Sequence, residues 1–115
     1  MIRYQKDMAS IIHHKLREGE GDTCMTPLFE EHIPHIRILA VITLEPGCSI
    51  GAHLHENESE AFYILEGEPT ILNDGEYITL HPGDAHLCRN GDKHSLMNRS
   101  DKPIRVLAII PTMAE

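Results

Sequence analysis

The chain has 115 residues, with 10 lysines and arginines, 18 aspartates and glutamates and nine histidines, and its formal net charge is −8. This length favours one domain with one hydrophobic core, and the acidic balance excludes the basic stripe or arm of a protein that binds nucleic acid or an anionic membrane surface. No apolar run approaches the ~18 residues that span a bilayer, and residues 1–21 lack the apolar segment of a secretory signal, so we expect a cytoplasmic protein.

Residues 7–18 are the helical candidate, because apolar side chains recur there at spacings compatible with a helical face: Ile11, Ile12 and Leu16. They belong to a predicted N-terminal extension, residues 1–35, which we expect to pack on the main domain through this short helix or a strand. The main domain is predicted to be a β-barrel that covers residues 36–111.

From residue 36 onward, short apolar stretches alternate with turn signals, which is typical of an all-β sandwich or barrel. Residues 43–47 (TLEPG) and 79–83 (TLHPG) match at four of five positions, so we expect two related strand-turn-strand units that close into a small barrel. The predicted strands are residues 36–44, 49–55, 61–65, 70–72, 77–80, 85–88, 94–97 and 104–110.

The predicted strand 49–55 carries two histidines. Strict alternation puts His53 and His55 on one face of this strand and Ile50 on the opposite face. Glu60 follows five residues after His55, at the start of the next predicted strand. We therefore expect two imidazoles and a carboxylate close together.

These residues belong to two spaced motifs. The first has five, one, four and six intervening residues between its members, which are Gly47, His53, His55, Glu60 and Gly67. The second motif consists of Gly83, Gly91, His94 and Asn98. In order and spacing, both motifs resemble those of the cupin family, although Arg89 stands where that family usually has a proline.

The resemblance covers residues 47–98 in detail and residues 36–110 in strand pattern. It implies an all-β fold, a small double-stranded β-helix or jelly-roll barrel. It also implies a site for one divalent transition metal ion, Mn, Fe, Ni, Co, Cu or Zn, and the family's ligands fall on His53, His55, Glu60 and His94.

Two nearby carboxylates compete with Glu60 as the expected ligand. Glu56 and Glu58 also follow His55, but only Glu60 keeps the family's six-residue distance to Gly67. Three neutral imidazoles and one carboxylate suit a divalent first-row metal, and the loaded site would carry a charge of about +1, which favours an anionic oxygen ligand.

The resemblance leaves two classes of function open. The first is a metal-dependent enzyme of the decarboxylase, dioxygenase or isomerase type that acts on a small oxygen-bearing or anionic substrate, with Glu60 also as the candidate catalytic proton-transfer group. The second is a non-catalytic cupin that binds a small molecule or a metal. Turnover of small carboxylic acids or sugar phosphates would distinguish the two classes.

Other residues are candidates for supporting roles. Arg37 and Arg89 are candidates for holding a substrate carboxylate, and His86 is a candidate contact behind a metal ligand. Phe62 and Ile64 share the face of Glu60 and are candidate pocket walls as well as ordinary core residues. The remaining histidines are expected to be incidental: His13, His14, His32, His35 and His81.

Residues 36–44 and 104–110 are apolar on both faces, whereas a small barrel buries only one face inside. We therefore expect a homodimer that covers the outer face. The expected partners are thus a small-molecule substrate or ligand and a second copy of the chain, with no nucleic acid and no membrane.

Overall fold

The computed structural model of the protein describes residues 1–113, which are mostly in β-strands. Two short 3-10 helices, Gln5–Asp7 and Leu16–Glu18, flank the first strand. No helix in the described residues is long and apolar enough to cross a membrane. The strands in these residues, β1 to β10 in chain order, are Ile11–His14, Asp22–Pro27, Ile36–Leu44, Ser49–Leu54, Glu60–Glu66, Thr70–Asn73, Glu76–Thr79, Ala85–Cys88, Lys93–Met97 and Ile104–Pro111.

The strands form two antiparallel sheets that pack face to face. The six-stranded sheet has the order β1-β2-β3-β10-β5-β8, and the four-stranded sheet has the order β4-β9-β6-β7. Because alternate residues of each strand point inward, the core lies between the sheets and contains Ile42, Leu44, Ile50, Phe62, Ile64, Ile71, Leu96, Ile104, Val106 and Ala108. The predicted all-β barrel is confirmed.

Residues 7–18 do not form the predicted helix. Ile11–His14 is strand β1, which pairs with β2 so that Ile12 lies opposite Cys24, and helical backbone is limited to short 3-10 turns. Adjacent β-branched isoleucines favour extended backbone, and an isolated helix of this length is marginal. The helix prediction is therefore wrong, because pairing with β2 outweighs a weak apolar periodicity.

A β-bulge in β4 changes which side chains point inward. Ile50 pairs with Leu96 and His53 pairs with His94, so β4 holds one residue more than β9 between these two pairs. The extra residue shifts the alternation, and Ile50, only 5% exposed, lies in the core while His53 also points inward. The prediction that Ile50 and His53 lie on opposite faces is wrong because it assumed a strand without a bulge.

Candidate metal centre

Four side chains from the two sheets converge in the space between them. His53 in β4 lies directly opposite His94 in β9, His55 follows the end of β4, and Glu60 begins β5 of the other sheet. His55, Glu60 and His94 are buried, and His53 is partly buried. The fold thus brings together the four residues that the sequence motifs single out.

The inward-facing atoms of these residues are close enough to share one ion. The three histidine Nε2 atoms lie 3.1–3.2 Å from one another. Glu60 Oε1 lies 3.0 Å from the Nε2 atoms of His55 and His94 and 4.0 Å from that of His53. Metal–ligand bonds of about 2.1 Å that meet at right angles put neighbouring donor atoms about 3.0 Å apart. The separations therefore match those of ligands around one metal, with His53 and Glu60 farthest apart.

Hydrogen bonds at the outward-facing nitrogens of His53 and His55 fix where the ring protons lie. His53 Nδ1 donates to the carbonyl oxygen of Gly51 at 2.7 Å, and His55 Nδ1 donates to Glu58 Oε2 at 2.6 Å. Carbonyl and carboxylate oxygens only accept hydrogen bonds, so each neutral ring keeps a lone pair at Nε2. These lone pairs and the Glu60 carboxylate face one another in a largely buried space, an arrangement that can hold a cation. The donor set fits a divalent first-row metal.

The pKa values in the cluster reflect two opposing effects, burial and the closeness of charged groups. The hydrogen bond with Glu60 raises the pKa of His55, whereas burial lowers the pKa of His53 to about 4. Burial alone would raise the pKa of Glu60, but the close contacts of its carboxylate with the rings of His55 and His94 lower it to about 2. Near neutral pH, Glu60 is therefore a carboxylate and His53 a neutral base, which are the forms that bind a metal.

Glu58 does not face the cluster and instead supports His55 from behind. Besides the hydrogen bond from His55, its carboxylate accepts two from Arg37, at 2.8 and 2.9 Å. The hydrogen bonds from Arg37 lower the pKa of Glu58, so this acceptor is ionised. The guanidinium of Arg37, a candidate for holding substrate, is thus bound by Glu58. Sequence reasoning missed this role, although a carboxylate three residues after His55 was a usable signal.

His94 has a second histidine behind it. His86 Nε2 lies 3.2 Å from His94 Nδ1, and the two rings stack with their centroids 5.3 Å apart. Burial lowers the pKa of His86 to about 4, so near neutral pH it is a neutral ring that accepts the Nδ1–H of His94. Phe62 also stacks on His94, at 5.1 Å, whereas Ile64 packs in the core.

A cavity of about 190 Å³ leads to the cluster and reaches His53, His55 and Glu60. An open cleft of about 720 Å³ adjoins it, and the two share His53, Arg17 and Arg37. The sequence offered no signal for Arg17, because it lies in the segment predicted to be a helix. The apolar walls of the inner cavity are Leu16, Met25, Ile38, Ile42, Ile50 and Ile110.

Most of the other candidate residues do not line the inner cavity. Glu56 lines only the open cleft, and Arg89 lines a separate cavity of about 250 Å³. Among the histidines expected to be incidental, His14 and His81 are exposed and lie beside aspartates. His13, in contrast, lines the inner cavity.

Comparisons with known proteins agree with this fold. A family model for the cupin domain matches residues 40–110. The oxalate-binding protein of Thermotoga maritima is 34% identical over 97 residues, which are 83% of this chain and 80% of that protein. The quercetin 2,3-dioxygenase of Bacillus subtilis is 50% identical over 111 residues, which are 90% of this chain but only 33% of the dioxygenase.

A solved structure is similar over nearly the full length of both chains. It is a crystal structure from Thermotoga maritima, described as that of a predicted oxalate decarboxylase. Its TM-score is 0.92 at 29% sequence identity, and the match covers 97% of this chain and 99% of the other. The similarity therefore extends beyond residues 40–110 to the strands that precede them.

Proposed function

Because the chain belongs to the cupin family, we propose that it is a metal-dependent enzyme that acts on a small carboxylic acid. One divalent first-row metal is held by the four residues of the cluster, His53, His55, Glu60 and His94. The observation that carries the proposal is the convergence of three Nε2 atoms and one carboxylate oxygen, with the Nδ1 protons of His53 and His55 directed away from the centre.

The residues around the cluster support distinct parts of this function. A bound metal would supply a Lewis acid or an oxygen-binding centre at coordination positions that the four residues leave free. Glu60 is also the proposed proton-transfer group, because it is the one carboxylate of the described residues that lines the inner cavity. The apolar walls limit the access of water and strengthen interactions between charges inside the cavity.

Charge and size favour a short carboxylic acid as the substrate. Three neutral imidazoles, one carboxylate and a divalent cation sum to about +1, which favours an anionic oxygen ligand. The inner cavity, at about 190 Å³, is smaller than the ~300–1,000 Å³ of sites for drug-sized ligands. The relative that is named for oxalate binding supports the same class of ligand.

A non-catalytic binding protein is the second candidate. The name of the Thermotoga maritima relative describes binding rather than turnover. The same cluster would then hold a metal and a small acid without changing the acid. The two candidates therefore differ only in whether the bound acid reacts.

Metal analysis and turnover assays test the proposal. We expect the wild type to hold stoichiometric metal and to consume oxalate or another short carboxylic acid. His53→Ala removes one of four ligands and should lower metal affinity more than about 100-fold and abolish turnover. His81→Ala, which removes an exposed histidine, should retain both properties.

The outcomes separate the candidates. Stoichiometric metal in the wild type without turnover of any acid on the panel favours the binding protein. A wild type that binds none of Mn, Fe, Ni, Co, Cu and Zn contradicts both the enzyme and the binding protein. Equal metal affinity in His53→Ala and His81→Ala would show that the metal lies elsewhere.

We further propose that two copies associate through the outer face of the six-stranded sheet. The register places Leu107 between Val41 and Tyr63, and Ile109 beside Leu39. These side chains alternate with core residues and therefore point outward. Such a contiguous apolar face is typical of an interaction surface rather than of a solvated sheet.

A further inference from the structure

Arg17 lies where the inner cavity meets the open cleft, since it lines both. Two arginines line the inner cavity, and the guanidinium of the other, Arg37, is bound by Glu58. The side chain of Arg17 has no hydrogen-bond or ion-pair partner within residues 1–113. Its positive charge is therefore available to a ligand that enters from the cleft.

The backbone that carries Arg17 is held in a conformation that ordinary residues rarely adopt. Lys15, Arg17 and Glu18 have φ angles of 50°, 54° and 64°, in the left-handed region that residues with a side chain avoid. Such strain persists only where the surrounding structure enforces it, and it is common in segments that hold a ligand. The position of Arg17 is thus imposed by tertiary structure.

Two glycines allow the backbone of this segment to lie very close to β4. A Cβ atom on Gly51 would lie 2.0 Å from the carbonyl oxygen of Arg17, and one on Gly19 would lie 2.2 Å from that of Ser49. Gly51 belongs to the bulge, and its own carbonyl oxygen accepts the hydrogen bond from His53 Nδ1. One residue therefore positions both the backbone of Arg17 and the ring of His53.

We propose that Arg17 makes the site specific for short dicarboxylates. One carboxylate of the ligand lies at the metal cluster, and the other accepts hydrogen bonds from the guanidinium of Arg17, whose planar fork matches a carboxylate. This assignment rests on the proposed function, because it places the first carboxylate at the metal. It differs from the sequence expectation, in which Arg37 and Arg89 were the candidates for holding a substrate carboxylate.

Calorimetric titration of the zinc-loaded protein tests the role of Arg17, with oxalate and malonate as dicarboxylate probes and acetate as the single-carboxylate control. Arg17→Asn removes the charge and keeps a residue that tolerates left-handed φ. Lys15→Asn is the matched control, because Lys15 has the same charge and a left-handed backbone but lines neither the inner cavity nor the cleft.

We expect the wild type to bind malonate at least about tenfold more tightly than acetate. Acetate lacks the second carboxylate, which in malonate accepts the pair of charge-assisted hydrogen bonds from Arg17. Arg17→Asn should weaken malonate and oxalate binding at least about tenfold and leave acetate binding within about twofold. Lys15→Asn should leave the affinities for all three anions unchanged. Arg17→Lys keeps the charge without the fork and should recover part of the loss.

The results distinguish this proposal from the proposed function. Wild-type malonate affinity in Arg17→Asn, or no preference of the wild type for malonate over acetate, overturns the role of Arg17 while the metal site stands. A wild type that holds no zinc or other metal overturns both. If Arg17→Asn loses zinc or unfolds at a lower temperature, Arg17→Lys replaces it in the comparison. Undiminished malonate binding by Arg17→Lys would show that the planar guanidinium is not needed, and it would overturn the proposed pair of hydrogen bonds.

Discussion

At the scale of single residues, groups outside the cluster orient each of its histidines. His53 is held by a backbone carbonyl, His55 by the carboxylate of Glu58, and His94 by the ring of His86. Each contact uses Nδ1 and leaves Nε2 pointing inward, which sets both the tautomer and the direction of the donor atom. Metal affinity should therefore depend on residues that do not touch the metal.

Glu58→Gln tests this dependence. Glutamine keeps the shape of the side chain but replaces an ionised acceptor by a neutral amide, and it breaks the paired hydrogen bonds with Arg37. We expect metal affinity to fall about 10- to 100-fold, as measured by competition with a chelating dye. Glu56→Gln, at a carboxylate that lines only the open cleft, is the control. Equal affinities of the two variants would contradict the supporting role of Glu58.

At the scale of elements, the bulge in β4 does more than interrupt a ladder. It turns His53 toward His94, and it brings Gly51 against the turn that carries Arg17. Strand β1 contributes as well, because the turn that follows it closes one side of the inner cavity. The site is therefore built from a strand irregularity and a turn that a regular pattern of strands would not contain.

Gly51→Ala tests the close approach at the bulge. The added Cβ would lie 2.0 Å from the backbone oxygen of Arg17, so backbone has to move, and we expect the free energy of unfolding to fall by about 2 kcal/mol. Ala52→Ser, at the exposed neighbouring position, should change it by no more than about 0.5 kcal/mol. Urea denaturation of both metal-free variants gives the comparison, and equal stability would mean that the turn does not press on Gly51.

At the scale of the whole molecule, the two sheets differ in what lies on their outer faces. The six-stranded sheet carries the apolar row of Leu39, Val41, Tyr63, Leu107 and Ile109, and Tyr63 is 48% exposed in the single chain. Covering such a face removes apolar surface from water, which is the main driving force for association. A dimer through this face leaves the space between the sheets unchanged.

Leu107→Lys tests the proposed dimer. Leu107 pairs with residues on both neighbouring strands, so a charge there would be buried in the interface and should oppose association. We expect a dimeric mass for the wild type and a monomeric mass for Leu107→Lys by light scattering at micromolar concentration. Ile78→Lys, on the other sheet, should remain dimeric. A monomeric wild type would rule out this interface at that concentration.

The sequence alone carried the information on strands β3 to β10 and on the four clustered residues. Turn residues and short apolar runs are local signals, so seven of the predicted strands fall where the structure has β3 to β6 and β8 to β10, and β7 begins one residue before the predicted 77–80. The spacing from His53 to Glu60 is also local. His94 was found only through the second motif, because its contact with His53 spans 41 residues of sequence.

Tertiary structure decided the features that depend on contacts between distant segments. Ile11–His14 is a strand because β2 offers a partner, and the bulge in β4 is visible only in its pairing with β9. The pairing of Arg37 with Glu58 and the position of Arg17 over the cavity depend on the same long-range packing. A spacing in sequence identifies which side chains are available for a site, but only the packed backbone determines which of their atoms meet. The physical reason is that a hydrogen bond or ion pair is weakened when the distance between its atoms changes by a few tenths of an ångström.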